Sequence, residues 1–171
     1  QCTAVKRDYD EADLLELAEG TLPSDSRAQP ECPIYQQCGG CSLQHWDLAA
    51  QREHKQAALL AMLQAISPLQ LEPPILGEPR AFRHRLRLVV TRNADRSYAL
   101  GLRQHRSHQS VNVAHCMVAN PAVNAMLATL PAWLQSLPDL QGLREIDLDA
   151  DSRNQFGLCF YFAAHPGAAL L

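Results

Sequence analysis

The sequence predicts an α+β fold, an antiparallel sheet with flanking helices, tied to a cysteine-rich loop. Three observations carry that expectation. Residues 82–92 and 143–150 alternate apolar and polar side chains with a period of two, the pattern of half-buried strands. Residues 47–66 and 120–135 each open on a capping residue and repeat apolar side chains at helical spacing. Ahead of the first helix, Cys32, Cys38 and Cys41 stand in the order C-x5-C-x2-C. The 171 residues, 47% of them hydrophobic, fit one ordinary domain with a fragment of a second, and no apolar run reaches membrane-spanning length. The chain begins at Gln1 and stops in the apolar residues 167–171, so a piece of a longer protein is expected.

Taken in order, Val5 to Leu17 reads as the turn and last strand of a hairpin, and residues 20–30, rich in Pro, Ser and Asp, as a linker. The cysteine loop follows. Asp47 then caps a helix running to about Ile66, with Leu48, Leu59, Met62, Leu63 and Ile66 near one face, a stripe that suits packing. Pro68, Pro73 and Pro74 end it. In the next segment Phe82, His84, Leu86, Leu88 and Val90 point one way and Arg83, Arg85 and Arg87 the other. Residues 93–96 form a turn, Tyr98 to Arg103 a return strand, and Ser110 to Ala114 a short strand that delivers Cys116. Asn120 and Pro121 start a second helix that reaches about Gln135. Leu143 to Ala150 and Gln155 to Ala163 read as paired strands. The alternating acids Glu145, Asp147 and Asp149 suit an exposed edge, and Cys159, among apolar neighbours, a core position.

Pro33, Gly39 and Gly40 keep the cysteine loop out of regular structure, so its three thiols can converge, and Cys116 adds a remote fourth. Four thiolates suit an iron-sulfur cluster or a structural zinc. The paired glycines let backbone N–H groups approach the sulfurs. Free buried thiols fit the C-G-G-C spacing poorly, and disulfides fit neither that spacing nor a chain with no visible secretory signal. Zinc remains the rival, although its structural sites draw ligands from two short knuckles, whereas three-plus-one spacing favours iron and sulfide. Six cysteines in this context point to a reducing cytoplasm.

The net charge of −3 hides a division. Residues 80–108 hold eight arginines against the single acid Asp95, and the rest of the chain is correspondingly acidic. An arginine-dominated patch is the footprint of a polyanion site, nucleic acid first among them, although a solvated charged hairpin has the same composition. Arg83, Arg85 and Arg87, alternating on one strand, would lay three guanidinium groups along a row of phosphates.

Cys32-Pro33, Cys38-Gly39-Gly40-Cys41 with Gln44-His45, the basic stretch Phe82-Arg83-His84-Arg85-Leu86-Arg87-Leu88, Gly101-Leu102-Arg103 and His115-Cys116 together resemble the iron-sulfur 23S rRNA uracil-5-methyltransferases. The order and spacing match over most of the chain, with Pro23-Ser24-Asp25-Ser26-Arg27 close to that family's linker and His84 where it more usually has Asn or Arg. The resemblance implies that residues 1–18 are the last strand of an OB-like TRAM barrel, 19–31 a linker, and 32–171 a truncated central domain that binds a 4Fe-4S cluster and RNA. It implies that the domain binding S-adenosylmethionine is absent.

The implied metal ligands are Cys32, Cys38, Cys41 and Cys116, and the implied RNA-binding residues are Arg83, Arg85, Arg87 and Arg103. The partner would be 23S rRNA, with no membrane, for a monomeric cytoplasmic protein. The complete enzyme would add a Cys thiolate to C6 of a flipped-out uracil, methylate C5 from S-adenosylmethionine and remove the C5 proton with a base. That nucleophile and base would lie in the missing domain. Cys159 has no neighbouring base in sequence, so this chain alone is expected to be inactive. The second function class is a metal-stabilised RNA-binding module, zinc or iron-sulfur, without catalysis.

Overall fold

The structure is a computed structural model and describes residues 2–5, 10–12, 18–20, 22, 24–66, 70–138, 140–151, 153 and 155–163. Strands β1 (Cys2–Val5) and β2 (Asp10–Ala12) form an antiparallel hairpin, with Val5 opposite Asp10. The remainder of the strand expected over Val5 to Leu17 falls on residues 6–9 and 13–17, outside the described residues. Helix α1 (Leu48–Leu63) starts as the sequence predicts, with the Asp47 carboxylate accepting from the N–H groups of Ala49 and Ala50 at 2.9 and 3.1 Å.

The second sheet is built from β3 (Arg85–Arg92), β4 (Tyr98–Arg103), β5 (Ser110–Asn112), β6 (Leu143–Ala150) and β7 (Phe156–Phe162), with α2 (Pro121–Ser136) between β5 and β6. Its order is β5-β4-β3-β6-β7, and every neighbouring pair is antiparallel. The β3–β6 register sets Leu86 opposite Leu148 and Leu88 opposite Ile146, so period-two alternation places all four on one face. Helix α2 covers that face with Val123, Leu127, Leu130 and Leu134, each fully buried. Removing one such leucine from water contributes about 2 kcal/mol before the entropy of ordering it, which makes this layer the main source of stability. Asn120 caps α2 by accepting from Val123 N–H at 2.7 Å, and Pro121 fills the first turn, where no N–H is needed.

Three expectations change. The strand carrying Glu145, Asp147 and Asp149 is interior to the sheet, between β3 and β7. Alternating acids imitate a solvated edge in sequence, but here their partners are the arginines opposite them. Cys159 is exposed, because on β7 it alternates with Leu158 and Phe160, which take the core side. The apolar stripe of α1 does not reach the core. No residue of this helix is buried, and Leu48, Leu59, Leu60 and Met62 are exposed, as is Ile66 beyond its end. Near its N-terminus α1 is held by Gln51 Nε2, which donates to Leu43 O and Trp46 O, and by a tilted ring contact between Trp46 and His54 with ring centres 5.1 Å apart.

Gly101 sits where β4 passes β5 most closely: a Cβ there would come within 2.8 Å of Val111 O. A side chain at this position must push the edge strand away. Gly101→Val is therefore expected to cost about 1–3 kcal/mol and to raise amide exchange in β5 above that in β6. Thermal unfolding with hydrogen exchange checks this, and an unchanged melting curve would contradict it.

Candidate functional site

Cys32, Cys38, Cys41 and Cys116 line one small cavity, together with Tyr35, Gly40, Gln44, Arg83, Leu102, His115 and Val118. None of the four is in a disulfide. The loop reaches this position by docking on the end of β4. Gly39 N–H donates to Arg103 O at 2.9 Å, His105 N–H donates to Gln37 O at 3.0 Å, and Cys38 bridges to Gln104. A Cβ on Gly39 would stand 3.2 Å from Arg103 O. The two glycines therefore differ in purpose. Gly39 permits the approach to β4, whereas Gly40 N–H donates to Cys38 Sγ at 3.4 Å, as expected of a group serving a thiolate.

Cys116 arrives from the other side and is fixed by Asn124 on α2. Asn124 Oδ1 accepts from Cys116 N–H at 2.8 Å, while its Nδ2 donates to Cys116 O and Ala119 O, both at 3.0 Å. Cys32 is held by Gln44, whose Oε1 accepts from Cys32 N–H at 3.2 Å, and Tyr35 OH lies 2.6 Å from His45 Nδ1. Burial pushes the Cys38 thiol above its ordinary value, opposed by Gly40 N–H and reinforced by Cys41, Cys116 and Cys32 nearby. A cation entering the cavity would reverse that balance and release protons.

Among the described residues, no group of three or more His, Cys, Asp or Glu side chains gathers closely enough to hold a single metal ion. Thiolates around one zinc stand within about 4 Å of each other, given a Zn–S bond of about 2.3 Å. The four cysteines surround a cavity and do not meet at such a point.

The four arginines singled out in the sequence do not form one row. Arg83 precedes β3, where a parallel bridge to Ala119 and a bond from Arg83 N–H to Val118 O turn it to the cysteine cavity. Arg85 and Arg87 lie on the sheet face opposite α2 and both grip Asp147. Arg87 binds it through two N–H groups at 2.8 Å, and Arg85 pairs with it and, at 3.6 Å, with Asp149. Tyr161 OH donates to Asp147 at 2.9 Å, and the Arg87 guanidinium stacks over the Tyr161 ring at 5.0 Å. Arg103 pairs with Glu145 and donates to His108 O. Phe82, expected on the inner face, is exposed, and His84 instead meets Asn120 Nδ2 at 2.9 Å.

Asp147 is 1% exposed, but its cover is two half-exposed arginines and a tyrosine. The Arg87 hydrogen bonds, followed by those from Arg85 and Tyr161, hold its carboxyl well below the usual range against the opposing effect of burial. The same contact keeps the Tyr161 proton on and pushes that phenol up. Asp147, Tyr161, Asn124 and Gln44 escaped sequence reasoning. A signal for the first was available, since acids at 145, 147 and 149 share the period of the arginines and are natural cross-strand partners.

These features define a class: an α+β domain in which a loop and a pre-helical segment bring four cysteines to one cavity, beside a sheet whose open face carries anchored arginines. The chain is similar to the 23S rRNA (uracil(1939)-C(5))-methyltransferase RlmD of Shewanella frigidimarina, with 35% identity over 158 residues, covering 87% of the chain and 34% of that relative. The protein of the same name from Vibrio cholerae is 35% identical over 151 residues, 86% of the chain and 34% of the relative. That from Haemophilus parainfluenzae is 37% identical over 128 residues, 73% and 29%. Proteins of this name thus align with most of the chain, which spans about a third of the length of the relatives it matches. No protein-family model matches it.

Because the Asp147 carboxyl is depressed in the folded state, its contribution is full above the unfolded value of about 3.9 and is lost as pH falls through the lower folded value. Asp147→Asn is expected to cost about 2 kcal/mol at pH 7, less than for a fully buried pair because the arginines left behind keep access to water. The gap between wild type and variant should narrow below about pH 4. Urea unfolding at pH 7 and pH 3 checks this, and a gap independent of pH would contradict it.

Proposed function

We propose that this chain is the RNA-recognition and 4Fe-4S-binding part of an S-adenosylmethionine-dependent methyltransferase that forms 5-methyluridine in 23S rRNA. The observation that carries this reading is the four-cysteine cavity, found in a chain that aligns over 87% of its length with a 23S rRNA uracil-C5 methyltransferase. Residues 1–18 are then the end of a TRAM domain, 19–31 a linker and 32–171 the central domain. Nucleophile, base and S-adenosylmethionine site belong to the part of the relatives outside the aligned third. Cys159, exposed on β7, is no substitute for the nucleophile. The setting is a cytoplasmic monomer acting on rRNA. In the structure, no helix among the described residues is long and apolar enough to cross a membrane.

Cys32, Cys38, Cys41 and Cys116 would hold the cluster, which when bound supplies a covalent tie between the loop ahead of α1 and the segment ahead of α2. The chain's own residues do the rest. Asn124 and Gln44 fix the backbone of Cys116 and Cys32, and Gly39 fixes the loop on β4. On the open face Arg85, Arg87 and Arg103 keep about half of each side chain in solvent while a carboxylate holds one side of the guanidinium. Such arginines meet phosphate at little further entropic cost, although the carboxylates offset part of their charge.

Anaerobically purified protein is expected to be brown, with iron and sulfide bound, and stoichiometric zinc in a colourless sample would overturn the cluster. Cys116→Ser should lower the melting temperature of the loaded protein and expose both tied segments to protease, while Cys159→Ser, at an exposed site, should stay within about 0.5 kcal/mol of wild type. Equal effects would contradict the assignment. For RNA, replacing Arg85, Arg87 and Arg103 together by Ala should weaken binding of a 23S rRNA fragment and reduce the salt slope by up to about three phosphate contacts. Unchanged affinity at two salt concentrations would leave this face a scaffold.

A further inference from the structure

Two side-chain donors face the cysteine cavity without an acceptor. Gln44 uses its Oε1 to accept from Cys32 N–H, which fixes the orientation of the amide, and its Nε2 is left buried with no hydrogen-bond partner among the described residues. A buried amide N–H₂ left unpaired costs about 1–3 kcal/mol, so an uncompensated one marks a place where an acceptor belongs. Arg83, half-buried in the same wall, makes no ion pair among the described residues, and its Nη1 lies 3.7 Å from where a Cβ on Gly40 would stand. The acids that hold Arg85 and Arg87, Asp147 and Asp149, form no ion pair with it.

We propose that Gln44 and Arg83 are positioning residues for the sulfur-ligated group of this cavity: Gln44 Nε2 donates a hydrogen bond to a thiolate or sulfide sulfur, and the Arg83 guanidinium supplies the countercharge. The inference rests on the 4Fe-4S reading. It removes Arg83 from the phosphate-binding set and gives it a different anion. Four thiolates in a largely apolar cavity carry a charge that burial penalises, and Gly40 N–H alone offsets little of it. Sulfur is a weak acceptor, but an anionic sulfur in low dielectric makes an N–H···S contact worthwhile. Donors to the sulfurs also favour the more reduced, more negative state and so raise the potential.

The test uses the 171-residue chain reconstituted anaerobically with ferrous iron and sulfide, and compares Gln44→Glu, Arg83→Met and Arg83→Lys with wild type. Gln44→Glu keeps the acceptor for Cys32 N–H but replaces the donor by a carboxylate, so Gln44→Leu, which removes the donor without adding charge, is compared beside it, and an effect seen in Gln44→Glu alone is that of the added charge. The expected result is several-fold faster bleaching of the cluster by chelator and by oxygen in Gln44→Glu, Gln44→Leu and Arg83→Met, a reduction midpoint shifted to lower potential in each, and substantial recovery in Arg83→Lys. Metal-free forms should melt alike, which separates the effect from folding.

If wild type holds the cluster but Gln44→Leu and Arg83→Met bleach at its rate with its potential, the inference fails and the cluster reading stands. If Arg83→Met weakens rRNA-fragment binding and leaves the cluster untouched, Arg83 returns to the RNA face. If wild type binds only zinc and no iron, the cluster reading fails and takes this inference with it. Should Gln44→Glu not fold, the two Arg83 variants decide the countercharge alone.

Discussion

The approach of the cysteine loop to the end of β4 is the constraint on which the site depends. Two backbone bonds, Gly39 N–H to Arg103 O and His105 N–H to Gln37 O, join a segment with no regular structure of its own to the end of a strand interior to the sheet. The strand itself is held by Leu100 in the core and by pairing on both edges. Cys38 then inherits its position from the sheet, and Cys32 and Cys41 follow within the loop. Cys116 inherits its position from α2 through the side chain of Asn124. The four sulfurs are thus located by the same hydrophobic layer, β3, β4 and β6 against α2, that stabilises the domain. That arrangement explains how a loop of glycines and turns can present a fixed cavity.

The two faces of the sheet divide the work. On the inner face Leu86, Leu88, Ile146 and Leu148 interlock with α2, and on the outer face the same strands set Arg85 and Arg87 against Asp149 and Asp147. A single register satisfies both, because a slip of one residue would bury the arginines and expose the leucines together. Asp147 is the element of the outer face that tolerates least change. It is desolvated by the groups that neutralise it, so its charge is stable only while Arg87, Arg85 and Tyr161 remain in place. The polar face is therefore as strongly specified as the core, which is unusual for a surface of charged side chains.

Much of this was legible in the chain. The caps at Asp47 and Asn120, the strands β4 and β6 and the turn at 93–96 follow from local chemistry: Asx caps, period-two alternation, and an Asx turn in which Asp95 accepts from Ser97. The cysteine set was legible because spacing in a loop survives without knowledge of the fold. Strand order was not. The sequence places β6 after α2 and at a distance from β3, and nothing local tells that the acidic strand inserts beside the arginine strand instead of forming an edge. Cys159 was misplaced for the same reason: five apolar or aromatic neighbours hide a period-two pattern in which the even positions 158, 160 and 162 take the core. The α1 stripe was read as packing from periodicity, which reports a face and cannot report whether that face is covered.

The arginines show how a composition signal breaks into distinct physical tasks. Eight arginines against one acid in 80–108 suggest one electrostatic surface, yet the fold distributes them. Arg80 pairs with Glu31, Arg103 with Glu145, and Arg85 and Arg87 share Asp147. The excess positive charge of the segment is thus partly matched by acids drawn from elsewhere in the chain, and the balance cannot be read from the segment alone. Alternation itself fails ahead of the β3 ladder, at Phe82 and Arg83. Residues 85 and 87 obey it because they lie in the β3 ladder, whereas residue 83 precedes the ladder and is turned by its parallel bridge to Ala119. A strand that begins three residues later than the sequence suggests is enough to move a guanidinium from the open face to the cysteine cavity.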